Sequence, residues 1–355
     1  MQQTSGQRML RPLYVAPIGK GGVDIGINNI TRAVRRAGHD PTLRRLPYLH
    51  NFLPMLAPLG LGRGWWRGYD IIQGRSRVAW ALKRRDVPLV TTVHHLTTDP
   101  LLQPYASWQQ RLFYRLVEYT YDGLSVRRAD AVVCVSKYTQ QQVALTYGKL
   151  DTTVVYDGID TDVFVPTPDW KRTDHGLPQT DARIRLLFVG NRTRRKGFDL
   201  LPAIMDRLPS DYVLFYTSSF QAVQAAPPHP RMIPIGTPDR DGLVAAYQSC
   251  DILLFPARVE GFGIVAAEAG ACGRPVVTTN ASALPEVVDD GVSGFVCQRD
   301  DVDDFAARVL ALGSDAALRH VMGQRGHEKI VSCFGYDQLA AGLLGVYERL
   351  LSKGH

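Results

Sequence analysis

The segment from Asp251 to Gly294 restricts the fold more than any other part of the chain. An apolar run at 252–255 is followed by a Gly-Phe-Gly turn, an alanine-rich helical stretch and a second apolar run at 275–279. Short apolar runs joined by a helical segment are typical of a parallel sheet covered by helices on both faces. We therefore predict an α/β fold.

The same alternation occupies two stretches of the chain. It covers residues 1–165, stops in the proline-rich polar segment 166–183, and restarts over 184–335. A chain of 355 residues exceeds the size of one ordinary core. We predict two doubly wound, Rossmann-like domains joined by a linker at 166–183, with a ligand crevice at the carboxyl ends of strands from both. An amphipathic helix at about 336–355 is expected to pack back on the first domain.

The bulk composition excludes several classes of protein. With 45% hydrophobic and 21% charged residues, the chain has the composition of a folded domain. Its apolar runs are shorter than a membrane span requires, and its N-terminus lacks a signal-peptide core. The five cysteines are dispersed and form no CxxC pair, which favours reduced thiols in the cytoplasm over a disulfide framework or a zinc site.

The positive charge is concentrated in the first half of the chain. Residues 1–165 carry 21 Lys and Arg against 12 Asp and Glu, whereas the remainder carries 20 against 22. This asymmetry predicts an acidic partner, such as an anionic membrane surface or a phosphorylated acceptor. Nucleic acid is not expected, because no nucleic-acid-binding motif accompanies the charge.

The loop around Trp65 and Trp66 has two interpretations. Tryptophan and arginine together are typical of a membrane interface, and basic residues of a later helical stretch would reinforce such a site: Arg111, Arg115, Arg127 and Arg128. Alternatively, the two tryptophans pack in the core beside a solvated helix.

In each predicted domain, one glycine-containing loop follows the first strand. Gly21 and Gly22 precede a helix, where backbone amides can approach an anion; an ordinary tight turn is the alternative. The second loop, 190–197, carries cations that suit a diphosphate, or else form a solvated basic loop: Arg192, Arg194, Arg195 and Lys196.

Three further side chains are candidates for the site. Glu260 precedes the Gly-Phe-Gly turn, and Glu268 lies eight residues later in a helix whose alanines indicate close packing. A carboxylate accepts hydrogen bonds from sugar hydroxyls, so two of them suit one sugar-containing ligand. His94 ends a predicted strand but is also compatible with a structural role. No cluster has metal-ligand spacing, so we expect no metal and no cofactor.

Together these elements resemble a retaining family-4 glycosyltransferase of the GT-B fold, from about Leu10 to Leu351. The donor-site signature is the Glu-x7-Glu pair of Glu260 and Glu268. Weaker matches lie elsewhere, in the family's order: Gly21-Gly22-Val23, Thr92-Val93-His94, Cys134-Val135-Ser136, Tyr156-Asp157-Gly158-Ile159-Asp160 with Phe164-Val165-Pro166, and Phe188-Val189-Gly190 with Lys196-Gly197.

The resemblance implies a role for each matching residue. Glu268 would hold the nucleotide ribose, Glu260 a hydroxyl of the donor sugar, and Lys196 the departing diphosphate. The Gly22 amide would assist Lys196, and His94 would lie beside the transferred sugar. Backbone amides of one turn would meet the sugar and diphosphate: Phe262, Gly263, Ile264 and Val265.

Two positions depart from the family pattern. Asn191 stands where the family has arginine, which leaves Arg192 or Arg195 for that role, and Asp157 replaces the usual asparagine. The expected activity is metal-independent transfer of a hexose from a UDP- or GDP-sugar to a polysaccharide, glycolipid or lipid-linked acceptor, at the cytoplasmic face of a membrane. The alternatives are a non-hydrolysing nucleotide-sugar epimerase and an inactive sugar-nucleotide-binding subunit.

Overall fold

The computed structural model describes residues 8–19, 22–181, 183–217 and 227–353, so Gly21 lies outside the described residues. It divides into two compact units. The first unit comprises Met1–Gly158 with Tyr336–His355, and the second comprises Ile159–Gly335. The sequence-based boundary after residue 165 therefore differs from the observed division after Gly158.

Each unit contains a six-stranded sheet whose neighbouring strands are parallel. The strand orders are β2-β1-β3-β4-β5-β6 and β12-β11-β10-β7-β8-β9. The strands of the first unit are β1 Pro12–Pro17, β2 Thr42–Leu46, β3 Ile71–Arg75, β4 Leu89–Val93, β5 Ala131–Cys134 and β6 Thr152–Val154; those of the second are β7 Ile184–Phe188, β8 Tyr212–Tyr216, β9 Met232–Pro234, β10 Ile252–Phe255, β11 Val276–Thr279 and β12 Gly294–Cys297. Both orders reverse next to the first strand of the unit, as in doubly wound folds.

Helices connect and cover the strands. They are α1 Gly22–Arg36, α2 Ala57–Leu61, α3 Ala79–Leu82, α4 Trp108–Phe113, α5 Tyr119–Arg128, α6 Lys137–Tyr147, α7 Leu201–Asp206, α8 Arg240–Ser249, α9 Ile264–Ala271, α10 Leu284–Val287, α11 Val302–Ser314, α12 Ala316–Phe334 and α13 Tyr336–Ser352. A π-helical turn at Tyr114–Glu118 joins α4 to α5. Among the described residues, no helix combines the length and apolar character that a membrane span requires.

The C-terminal helix α13 packs in the first unit. Its apolar face shares a buried cluster with α1 and with strands of the first sheet. Tyr347 lies 3.2 Å from Tyr14 between their hydroxyl oxygens, and it donates a hydrogen bond to Gln73. A buried polar group requires such partners, so these contacts hold α13 in one position on the sheet.

Of the proline-rich segment 166–183, predicted as a linker, the described residues belong to the second unit and pack on the rest of it. The Gly176 amide donates to the Ser249 Oγ at 2.8 Å, and Arg172 forms an ion pair with Asp251. The Trp170 ring lies 5.4 Å from the His327 ring between centroids. Prolines prevented regular secondary structure here, but they did not prevent side-chain packing.

Candidate functional site

The turn before α9 leaves the first amides of that helix available. Gly263 has a φ of +107°, a conformation that glycine adopts without strain. A Cβ at this position would lie 2.9 Å from Leu284 Cδ2. Within the described residues, no side chain caps the helix, so the amides of Ile264 and Val265 can meet an anion. Phe262 instead buries its ring 5.2 Å from the Phe334 centroid.

Glu268 lies on α9 as a buried carboxyl, with 4% of its surface exposed. The Tyr247 hydroxyl of α8 donates to Glu268 Oε2 at 2.9 Å. Burial raises the pKa of Glu268 to about 7, although the Tyr247 hydrogen bond opposes the shift. The carboxyl is therefore poised to change charge near neutral pH.

Lys196 and Glu260 form an ion pair in the second unit. Gly197 positions the loop: it has a φ of +72°, and a Cβ there would lie 2.0 Å from the Pro256 carbonyl oxygen. Only 13% and 12% of the Lys196 and Glu260 side chains are exposed. Burial lowers the pKa of Lys196, and the Glu260 charge partly restores it. The two groups expected to meet the diphosphate and the sugar neutralise each other.

The arginines of the same loop occupy different surroundings. Arg195 Nη1 lies 3.9 Å from Glu260 Oε1 and donates to the Val259 carbonyl at 3.2 Å. The Arg192 guanidinium instead lies 5.0 Å from the centroid of the Phe198 ring. Arg192 and Arg195 were the two candidates to replace the family's arginine, whose position Asn191 occupies. Of these two, Arg195 lies beside the Lys196–Glu260 pair.

Arg258 connects the two loops and was not singled out from the sequence. Its guanidinium is buried, lies 2.6 Å from Asp199 Oδ1, pairs with Asp300 and donates to the Arg194 carbonyl. Its own amide donates to the Arg195 carbonyl at 2.9 Å. In the sequence, an arginine three residues after an apolar strand is indistinguishable from a surface arginine.

We predict that Arg258→Met lowers the free energy of unfolding by about 2 kcal/mol, because it leaves Asp199 and the Arg194 carbonyl without their buried partner. Urea unfolding measures the change. Arg299→Met is the matched control, since Arg299 contacts the same Asp300 from a more exposed position. A loss no larger than that of the control would contradict the structural role of Arg258.

In the first unit, the predicted residues lie where β1 and β4 end. Gly22 is the first residue of α1, which follows β1. His94 follows β4, is 9% exposed, and its Nε2 has no hydrogen-bond partner in the part of the chain that the structure describes. Burial, reinforced by the nearby positive charge of Arg75, lowers the pKa of His94 to about 3. The ring is therefore neutral and able to contact an uncharged ligand group.

Asp157 shares this site with His94. A Cβ built on Gly26 would lie 3.2 Å from His94 Nε2 and 3.3 Å from Asp157 Oδ1, so the two side chains approach α1 at the same point. Asp157 is 4% exposed, and burial raises its pKa to about 7. The exchange of the family's asparagine for aspartate thus adds a buried titratable group beside His94.

We predict that, between pH 5 and pH 8, the free energy of unfolding of the wild type falls by about 2 kcal/mol more than that of Asp157→Asn. The folded state holds the Asp157 proton up to about pH 7, whereas the unfolded chain releases it near pH 4. Wild-type stability therefore falls as pH rises through this window. Urea unfolding of both proteins across pH 5–8 measures the difference. The exposed Asp151→Asn is the control, and parallel pH profiles for Asp157→Asn and the wild type would refute the prediction.

Two family models match this chain. "Glycosyltransferase Family 4" matches residues 30–163, and "Glycosyl transferases group 1" matches residues 222–329. The chain belongs to the family-4 glycosyltransferases. The family resemblance seen in the motifs is thereby confirmed.

Curated relatives of this glycosyltransferase agree with the family models. An uncharacterised glycosyltransferase of Methanocaldococcus jannaschii is 29% identical over 62% of this chain and 60% of its own length. The D-inositol 3-phosphate glycosyltransferase of Mycolicibacterium smegmatis is 29% identical over 80% of this chain and 68% of its own. The chain thus spans about two thirds or less of these two relatives.

Solved structures share the fold. A sucrose-phosphate synthase from Thermosynechococcus elongatus has a TM-score of 0.80 at 20% identity, covering 98% of this chain and 100% of that one. The Anabaena protein HepE, in complex with UDP and glucose, has a TM-score of 0.73 at 17% identity, covering 96% and 100%. The predicted GT-B fold class is therefore confirmed.

The glycosyltransferase shows no cluster of three or more His, Cys, Asp or Glu side chains arranged for a metal, within the residues that the structure describes. Lys196, Arg195 and Glu260 come together in the second unit, and His94 meets Asp157 in the first. Arg192 stands against aromatic rings instead.

Proposed function

We propose that this glycosyltransferase transfers a hexose from a UDP- or GDP-sugar, with retention of configuration and without a metal ion. The acceptor is a polysaccharide, a glycolipid or a lipid-linked saccharide. The observation that carries the proposal is the buried Lys196–Glu260 pair with Arg195 beside it, because Glu260 directly precedes the uncapped Gly-Phe-Gly turn into α9. Cations and free amides at one strand edge suit a diphosphate.

Donor binding would exchange the partners of the Lys196–Glu260 ion pair. A donor diphosphate competes for Lys196, which releases Glu260 to accept a hydrogen bond from a sugar hydroxyl. Glu268 accepts hydrogen bonds from the ribose, and the amides of Ile264 and Val265 bind the phosphates. His94, neutral at physiological pH, contacts the sugar as an uncharged partner.

The transfer step needs stabilisation of the leaving group. The bond between the anomeric carbon and the phosphate oxygen breaks, a bond from that carbon to the acceptor oxygen forms on the same face, and the acceptor proton passes to the departing diphosphate. Negative charge grows on the diphosphate during this step. Lys196 and Arg195 are fixed cations for that charge, and such preorganised groups contribute much of an enzyme's rate.

The comparisons support a nucleotide-sugar donor and leave a range of acceptors. Structures of the Anabaena protein contain UDP and UDP-glucose. Other relatives are named for inositol 3-phosphate, glycogen and sucrose phosphate. We base a lipid-linked acceptor on the charge of this chain, because its first half is basic and its second is not.

We predict that one of UDP, GDP and ADP raises the melting temperature of the wild type, and that Glu268→Gln weakens this nucleotide about tenfold or more. The substitution replaces a charged carboxylate, which accepts hydrogen bonds from two ribose hydroxyls, with an uncharged amide. Wild-type affinity should also rise from pH 6 to pH 8, because the Glu268 carboxyl ionises near pH 7, whereas Glu268→Gln should lack this Glu268-dependent rise. Thermal shift and calorimetry at both pH values measure these effects.

The exposed Glu328→Gln on α12 serves as the control for a general loss of charge. Nucleotide shifts of equal size in the wild type and in Glu268→Gln would remove the ribose assignment. Stabilisation by ADP alone, or by none of the three nucleotides or their sugars, would remove the proposed donor class.

A further inference from the structure

Large apolar side chains are exposed mainly on two segments of the first unit, 48–59 and 108–119. We call the part of this surface formed by eight of them the apolar rim: Tyr48, Leu49, Phe52, Leu53, Met55, Trp108, Leu112 and Leu116, each between 39% and 65% exposed. Leu59, at 79%, and Tyr119, at 41%, extend it. Among the described residues, the second unit exposes only Val292, Val321 and Val331 in this class. Such a concentration in one place marks an interaction surface.

Helical spacing places the exposed apolar residues of the second segment, 108–119, on one face. Trp108, Leu112 and Leu116 recur every four residues through α4 and the π-helical turn, so they lie on one face. Helix α4 begins at a capping box in which Ser107 accepts from the Gln110 amide, which stabilises its first turn. A defined helix thus presents an apolar face that its own unit leaves exposed.

The two segments touch each other. The rings of Phe52 and Phe113 lie 5.9 Å apart between centroids, and the Tyr121 hydroxyl donates to the Phe52 carbonyl at 3.4 Å. Tyr48 also packs edge-on against Phe52 at 5.7 Å. The apolar rim is therefore one continuous surface built from two parts of the sequence.

The tryptophan loop does not form this surface. Trp65 is 5% exposed and packs with Val78 and Ala79 in the core. The Trp66 Nε1 donates to Asp86, and the Arg84 guanidinium lies 4.9 and 4.8 Å from the Trp65 and Trp66 ring centroids. Of the two interpretations of the tryptophan pair, core packing is confirmed for Trp65, and Trp66 is half-buried against the same cluster.

The charge around the apolar rim is positive. No Asp or Glu occurs in residues 41–59 or 100–117, whereas these ranges contain Arg44, Arg111 and Arg115, together with Arg45, which pairs with Asp24. Arg111 and Arg115 are exposed and alternate with Leu112 and Leu116 along the helix. A pocket lined by Met55 also contains Arg128, together with Lys83, which pairs with Asp130.

We infer that the apolar rim docks this glycosyltransferase on a lipid bilayer that contains anionic headgroups. Exposed aromatic and aliphatic side chains enter the headgroup boundary, while the arginines meet lipid phosphates. A purely protein partner would not require a surface from which carboxylates are excluded over two separate segments. The inference deepens the proposed function, because a lipid-linked acceptor would be met at this surface.

The test measures co-sedimentation with vesicles of phosphatidylcholine alone or mixed equally with phosphatidylglycerol. We expect the wild type to bind the mixed vesicles, and Leu112→Gln/Leu116→Gln to bind them about tenfold more weakly. The apolar control is Leu145→Gln/Val321→Gln, which removes side chains that are 72% and 51% exposed outside the apolar rim. Arg111→Gln/Arg115→Gln should also bind the mixed vesicles more weakly, and its remaining binding should no longer depend on salt. The control Lys149→Gln/Arg325→Gln should bind as the wild type does.

Two results would overturn the inference. Equal binding by the apolar-rim variant and its control would show that the surface is not the contact. Absence of vesicle binding, with a wild-type dimer in light scattering that Leu112→Gln/Leu116→Gln converts to a monomer, would assign the surface to a second copy of the chain. Nucleotide stabilisation of every variant is measured in parallel, so a failure of donor binding is distinguished from a failure of docking.

Discussion

Parallel strand pairing is the constraint on which both units depend. Because every strand of a parallel sheet runs in the same direction, their carboxyl ends meet at one edge, and the loops that follow share that edge. Lys196 follows β7 and Glu260 follows β10, two strands that are neighbours in the second sheet. In the first unit, Arg75 ends β3 and His94 follows the neighbouring β4. Residues far apart in the chain thus reach one place.

Burial of ionisable groups at these edges has a common physical consequence. Taking a charge out of water favours its neutral form unless a partner compensates. His94 responds by remaining neutral, and Glu268 and Asp157 by titrating near neutral pH. Lys196 keeps a partner in Glu260. Ionisable groups whose pKa values are shifted in this way at strand ends are more typical of a binding site than of a structural core.

The first unit shows how one strongly basic segment can hold two different environments. The Arg84 guanidinium covers the rings of the tryptophan pair, whereas Arg111 and Arg115 stand beside exposed leucines. The difference depends on which residues β3, α2 and α3 bring next to each ring, since Trp65 packs in a core cluster with Val78 and Ala79. Both regions combine tryptophan with arginine, so local composition does not distinguish a core tryptophan from an exposed one.

The sequence by itself determined the α/β class, the strand–turn–helix around Glu260 and Glu268, and the family, because these depend on local periodicity and on motifs short in sequence. Tertiary structure decided that Glu260 pairs with Lys196, that Arg195 lies beside them, that Arg258 ties their loops together and that the described residues of segment 166–183 pack in the second unit. It also placed Asp157 against His94 and brought 48–59 next to 108–119. Each of these depends on contacts between residues distant in the chain, whose partners are chosen by strand order and packing and leave no mark on local sequence.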